Sequence, residues 1–191
     1  DNQTALVNGY SFTPEKWSLE AYQYIASEWA TIGRAYLMTI LVTVIGTALS
    51  LVITSTFAFA VSNDKLPGHK ILMFLCIFTM LFNGGLVASY YVYSNIFHIK
   101  NTIWALIVPT FLMSPFNVVL VKNYFSNSIS PSILEAARMD GAGVFAVFTK
   151  IVMPLSVPIM ATVGLMTAIG YWNDWTNGLY YLTENGGSQY Y

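Results

Sequence analysis

Residues Ala35–Asn63 read AYLMTILVTVIGTALSLVITSTFAFAVSN, a run without one charged side chain. It is longer than the roughly 20 apolar residues a helix needs to cross the hydrocarbon core. Three further stretches lack charge: 71–97, 101–121 and 151–173. Hydrophobic residues are 55% of the chain and charged residues only 9%, against roughly 25% charged in a soluble domain. Mean hydropathy is +0.56. In lipid every backbone amide must be satisfied within the protein, which leaves helices or closed barrels. These runs are continuous and not the alternating segments, roughly ten residues long, of a barrel. The expected fold is an all-α, polytopic membrane helical bundle with four spans over about 36–61, 71–96, 103–121 and 151–172.

Aromatic content fits that reading. Tyr90, Tyr91 and Tyr93 stand near one span end and Tyr171, Trp172 and Trp175 near another, as expected of interfacial belts. The net charge of −1 gives no electrostatic case for nucleic acid. Cys76 is the single cysteine, so no intrachain disulfide is possible, and its place in an apolar run suggests a small buried hydrophobe. His69 and His98 fall in separate loops on opposite predicted sides, and no metal-ligand cluster is present.

Lysine and arginine favour the cytoplasmic side. The loops after the first and third spans hold Lys65, Lys70, Lys122, Arg138 and Lys150; the other side holds Lys16, Arg34 and Lys100. That asymmetry predicts the loop 122–150 inside. Residues 1–30 and 185–191 are then extracytoplasmic, and at least one upstream span is expected beyond the chain as given. The first 30 residues are mixed and polar, with Trp17, Tyr22, Tyr24, Ile25 and Trp29 spaced for an external amphipathic helix.

Within the spans, the first is rich in Gly, Ala, Ser and Thr, which predicts close packing among neighbours. The second is interrupted by Asn83-Gly84-Gly85, a break suited to a packing contact or to lining a cavity. The third carries Pro109, Pro115 and Asn117; the fourth begins with Pro154 and Pro158, both kink formers. Asn63–Gly68 reads as a turn.

The inner loop holds the most specific signal. Ser132 and Glu135 have capping-box spacing, while Ser130 followed by Pro131 is an equally good helix start. A helix of about two turns follows, and Gly141 suits the terminating C′ position. Ile133, Leu134, Ala137 and Met139 supply an apolar face, and Ala136 with Ala137 keeps the profile thin. An interfacial helix would carry more basic and bulky residues, so docking to a partner is the better reading.

Glu135-Ala136-Ala137, three residues, Gly141, nine residues, Ile151, one residue and Met153-Pro154 resembles the signature loop of binding-protein-dependent ABC importer permeases. Met153 stands where the usual pattern has leucine, a near-isosteric exchange. Trp172-Asn173-Asp174-Trp175 and the run from Thr102-Ile103-Trp104-Ala105-Leu106 to Pro109 are similar to the carbohydrate-uptake branch. Within it the chain looks like the shorter of two paired subunits for oligosaccharide uptake. The resemblance covers about 34–184 and implies the type I importer permease fold, of which these are four spans of about six. It also implies a bacterial cytoplasmic-membrane location.

The resemblance implies that the loop helix docks on a separate ATPase, with Glu135, Ala136, Ala137, Gly141, Ile151 and Pro154 forming the coupling element. The implied partners are a second permease subunit in a heterodimer, two ATPase subunits, an extracytoplasmic solute-binding protein and membrane lipid. The chain has no G-x-x-x-x-G-K-[ST] loop, so ATP and magnesium are expected on the ATPase and no cofactor on this chain. Asn83, Tyr90, Asn117 and Asn173 are the candidate substrate-pathway residues, with helix packing as their alternative role. Permeases for amino acids, peptides or phosphate are the competing class. A secondary transporter would need ionisable residues inside its spans, and an intramembrane enzyme a catalytic pair at depth; the spans supply neither.

Overall fold

The structure, a computed structural model, describes residues 19–63 and 66–183. Residues 1–18 of the predicted outer segment 1–30, residue 184 with the whole predicted outer end 185–191, and the turn residues Asp64 and Lys65 lie outside the described residues. Those described form helices α1 Glu20–Ser27, α2 Trp29–Ser62, α3 His69–Leu81, α4 Gly85–Tyr91, α5 Trp104–Ile107 and α6 Pro115–Ser128. They continue with α7 Pro131–Met139, α8 Val144–Val147, α9 Met153–Leu155, α10 Val157–Trp172 and α11 Thr176–Tyr181. No strand occurs among them.

The long helix α2 is the axis of the bundle. Val42, Gly46, Ser50, Thr54 and Ala58 are buried along it. Their four-residue spacing lays them in one ridge of an α-helix. Against that ridge lie α10 and α6. Small side chains are what allow this: a Cβ at Gly46 would meet the Tyr171 ring at 2.5 Å, and one at Gly164 would meet Leu51 Cδ1 at 3.3 Å. The expectation of close packing therefore holds for one stripe. The rest of the helix keeps an apolar exposed surface that includes Leu37, Val44 and Val52.

The other three predicted spans differ from unbroken helices, each for a backbone reason. Among the described residues only α2 is long and apolar enough to cross a membrane as a single helix; there are up to three spans among them if each bent helix pair counts as one. In the second predicted span, α3 and the segment Gly85–Ile96 meet at 118°. Asn83 Oδ1 accepts the Gly85 amide at 2.8 Å, and Gly85 takes φ +77°, a conformation glycine adopts without a Cβ penalty.

The fourth predicted span bends by 79° between Leu155 and Val157. Pro154 and Pro158 lack the N–H groups that would continue the ladder. The Met153 amide slips to the Phe148 carbonyl, and the Ser156 amide to Met153. The straight apolar piece is therefore α10 alone, and 151–155 belongs with the loop.

The third predicted span, 103–121, is α5 and α6 separated by non-helical backbone. The helix that starts at Pro115 runs on through the polar residues up to Ser128, seven beyond the predicted span end at Val121. Val118, Val121, Phe125 and Ile129 explain the extension, since all four are buried in one core at helical spacing. That core also takes in Ala58, Val163, Val147 and Val152, so it sits at the predicted inner end.

Replacing Gly46 with leucine should cost about 1–3 kcal/mol by overpacking. The Tyr171 ring cannot swing aside freely, because its hydroxyl is tied to the Ile107 carbonyl at 2.7 Å. We expect the melting temperature of the purified protein in detergent to fall by several degrees for Gly46→Leu, and by less for Gly46→Ala. Wild-type melting of the leucine variant would show that the helix pair is not close-packed there.

Candidate functional site

The inner loop folds as two helical segments joined by a defined turn. Ser130 is the N-cap of α7, with Pro131 in the first turn and no side-chain capping bond. The capping box expected from Ser132 and Glu135 is not formed; the Ser130 and Ser132 hydroxyls pair with each other at 2.8 Å instead. Proline at the first position explains the outcome, since its fixed φ starts the helix and removes one donor that a cap would serve.

The other end of α7 closes as expected. Gly141 has φ +78°; its amide bonds the Arg138 carbonyl at 3.0 Å and the Ala142 amide bonds the Ala137 carbonyl at 2.9 Å. This is the Schellman pattern, in which C′ and C″ donors satisfy the last free carbonyls.

Burial then divides the predicted coupling residues into two groups. Ala137 is 8% exposed and joins the inner core, with Leu134 and Ala142 packed beside it. Ile151 is half-buried against the same core. Glu135, Ala136, Gly141 and Pro154 are exposed, and Met139 is the most open large apolar side chain of the helix at 89%. The Phe148 ring stands 5.0 Å from that of Phe59 on α2, which ties the loop to the bundle axis. A cleft of ≈ 260 Å³ opens under α7 among Phe59, Phe125, Ile129, Leu134, Arg138 and Val152.

A second feature lies at the opposite end, in the backbone between α5 and α6. Thr110 has φ +71°, and the Phe111 amide bonds the Pro109 carbonyl at 2.8 Å, a γ-turn around a β-branched residue. Such geometry is rare and strained. Irregular backbone frees carbonyls, and three are met by side chains from other elements. Tyr171 Oη donates to Ile107 at 2.7 Å, Asn177 Nδ2 to Pro109 at 3.4 Å and Ser50 Oγ to Phe111 at 3.1 Å. Asp174 holds Asn177 in place: its Oδ2 accepts from Nδ2 at 2.6 Å and its Oδ1 accepts the Thr176 and Asn177 amides.

The four pathway candidates do not converge on one site. Asn83 makes the turn before α4. Asn117 is buried and donates to Thr167 Oγ1 at 3.4 Å, linking α6 to α10. Asn173 is exposed and donates to the Ile169 carbonyl at the end of α10. Tyr90 alone engages a charge, accepting from Lys100 Nζ at 3.0 Å. Sequence reasoning missed Ser50, Asn177 and the inward use of Tyr171. The clue available for Tyr171 and Asn177 was their placement around Asp174, just past a span whose predecessor contains two prolines.

The family model described as "Binding-protein-dependent transport system inner membrane component" matches residues 37–190. The chain is 41% identical over 172 residues to the polygalacturonan/rhamnogalacturonan transport system permease protein YtcP of Bacillus subtilis, covering 90% of this chain and 59% of that protein. It is 37% identical to the protein LplC of the same organism, covering 90% and 57% respectively. A solved bacterial ABC transporter involved in the import of the acidic polysaccharide alginate has a chain that superposes with a TM-score of 0.83 at 29% identity, covering 98% of this chain and 66% of that one. The chain thus spans less than two thirds of the length of each of these proteins.

Tyr171→Phe keeps the ring beside Gly46 but strands the Ile107 carbonyl. Losing one partner of a buried hydrogen bond costs about 1–3 kcal/mol, so thermal unfolding in lipid nanodiscs should begin several degrees lower. An unchanged profile would mean that water or lipid can replace the phenol there.

Proposed function

Because the chain belongs to the family of binding-protein-dependent transport system inner membrane components, we propose that it is the membrane-spanning permease subunit of an ATP-driven importer. Its partners in this reading are a second, non-identical permease subunit, two ATPase subunits and an extracytoplasmic solute-binding protein, all in the bacterial cytoplasmic membrane or on its faces. The ATPases hold ATP and magnesium; this chain carries motion, not chemistry. The names of its relatives point to saccharides, two of them to polymers of uronic acids, and an oligosaccharide is the proposed cargo.

The observation that carries this reading is the two-sided character of α7. Its Ala137 side is fixed in the core while Glu135, Ala136 and Met139 are presented outward. Ala136 lets a partner's surface approach the helix backbone closely, Glu135 offers an acceptor for a donor on the ATPase, and Met139 fills an apolar recess there. Gly141 turns the chain back so that the second segment, with Ile151, can reach the same core. Pro154 then ends the loop at the bend into α10.

Coupling of two sites needs a physical element that both can bias. Here, closure of the ATPases displaces α7, and the Ala137, Val147 and Val152 contacts pass that displacement to α2, α6 and α10. The bundle alternates between inward-open and outward-open states as the two subunits tilt.

Valine at position 141 has room for its side chain, since nothing lies within 4 Å of a Cβ there. Its effect is therefore conformational: the left-handed geometry costs an L-residue roughly 1–2 kcal/mol, and more for a β-branched one. With the complete transporter in proteoliposomes, Gly141→Val should abolish most ATP-driven uptake while ATP hydrolysis persists. Gly141→Asn, which tolerates that geometry, should keep most of the uptake. Transport by the valine variant at the wild-type rate sinks the coupling role.

A further inference from the structure

Three chain segments meet at the predicted outer end around one cation. The Tyr90 and Tyr181 rings stack with centroids 5.6 Å apart, and Tyr93 meets Tyr181 edge-on at 6.2 Å. Lys100 Nζ sits 5.6 Å from the centre of the Tyr90 ring and donates to its hydroxyl. That phenol is its one partner among the described residues: Lys100 forms no ion pair there. An ammonium has three donors, so two remain for a ligand, and the side chain is half-exposed.

The arrangement is held rigidly. Asn101, with φ +57°, donates its amide to the Tyr181 carbonyl at 3.0 Å. The Asn101 side chain donates to Thr183 Oγ1 at 2.9 Å and accepts the Thr183 amide at 2.8 Å. These bonds join positions 82 residues apart. Three hydrogen bonds and a ring stack thus fix a short turn whose one charge has no counter-ion among the described residues. A held cation with no counter-ion among the described residues is a poor stabiliser, because an exposed charge gains little from solvent-screened contacts. It is a good ligand group, because its ordering cost has been met before the ligand arrives.

We propose that Lys100, with Tyr90 and Tyr181 behind it, recognises the carboxylate of an acidic oligosaccharide at the extracytoplasmic mouth, selecting uronates over neutral sugars. The proposal rests on the saccharide-import reading. A uronate matches the cluster in two ways, offering a carboxylate to the ammonium and a C–H face to the half-buried Tyr90 ring, which the buried Tyr181 ring backs. A carboxylate on the solute-binding protein uses the ammonium alone, so the rings favour the sugar.

The test uses the complete transporter with its binding protein in proteoliposomes, with digalacturonate and raffinose as probes. Lys100→Gln should raise KM for digalacturonate roughly ten- to hundredfold, the range expected on losing one charge-assisted hydrogen bond, with kcat and raffinose uptake unchanged. Lys100→Arg should restore digalacturonate uptake to within about threefold. Unchanged digalacturonate uptake in Lys100→Gln overturns the proposal, as does an equal loss for both sugars, which marks a structural role. Weakened binding of the sugar-free solute-binding protein overturns it in favour of a protein-docking contact. A wild-type transporter that carries raffinose and not digalacturonate refutes this site and leaves saccharide import standing; one that carries neither sugar refutes both.

Discussion

Backbone carbonyls that no helix satisfies are the constraint on which this structure turns. Between α5 and α6 the chain leaves helical geometry inside a stretch that is apolar enough to lie in lipid. An orphan carbonyl in that environment costs several kcal/mol. The molecule meets the requirement with side chains from elsewhere: Tyr171 on α10, Asn177 on α11 and Ser50 on α2 each take one of the carbonyls at 107, 109 and 111. Those three bonds also decide what can pack where. Ser50 must lie in the small-residue ridge of α2, and Tyr171 must cross it, which is why position 46 has to be glycine.

The inner end obeys the same rule by different means. There the breaks are caused by prolines, and the freed groups are taken up locally, by a slipped bond to Phe148 and by the turn at Ser156. Local repair leaves the apolar side chains of 144–155 available for packing. Val147 and Val152 use that freedom to join α7 to the core, so a helix outside the spans packs as part of it. At the outer end, long-range repair does the opposite job and pins one irregular segment to three helices.

Much of this was legible in the sequence, and what escaped was tertiary. Charge-free length identified helices that suit lipid, and glycine and serine content marked α2 as a packing helix. Gly141 announced a C′ turn because a left-handed residue is a local requirement. The capping box failed because Ser130-Pro131 offered a competing start two residues earlier, and local rules rank the two equally. The three breaks were flagged by Asn83-Gly84-Gly85, Pro109 and Pro154, yet no local rule gives their geometry, which depends on what the freed groups find. Tyr171 shows the limit well. Its place at a span end reads as an interfacial aromatic, and the fold instead buries its ring to 3% exposure and spends its hydroxyl on a distant carbonyl.

The two kinds of repair have a mechanical consequence, because α10 is common to both. Its first turn follows the Ser156 bend that ends the loop, and its last turn carries Tyr171. Sixteen residues make a helix of roughly 24 Å, stiff over that length. A displacement at the loop therefore cannot be absorbed within α10. It must appear as a tilt about the ridge of α2, where Gly46, Ser50 and Gly164 provide a thin, close contact. The same tilt loads the Tyr171 bond to Ile107 and, through it, the strained turn at Thr110. A segment already held in a rarely populated conformation by three side chains has little reason to deform gradually. In the proposed coupling cycle it would keep its bonds or exchange them, so that a continuous push from the inner side would become, at that turn, a choice between discrete arrangements.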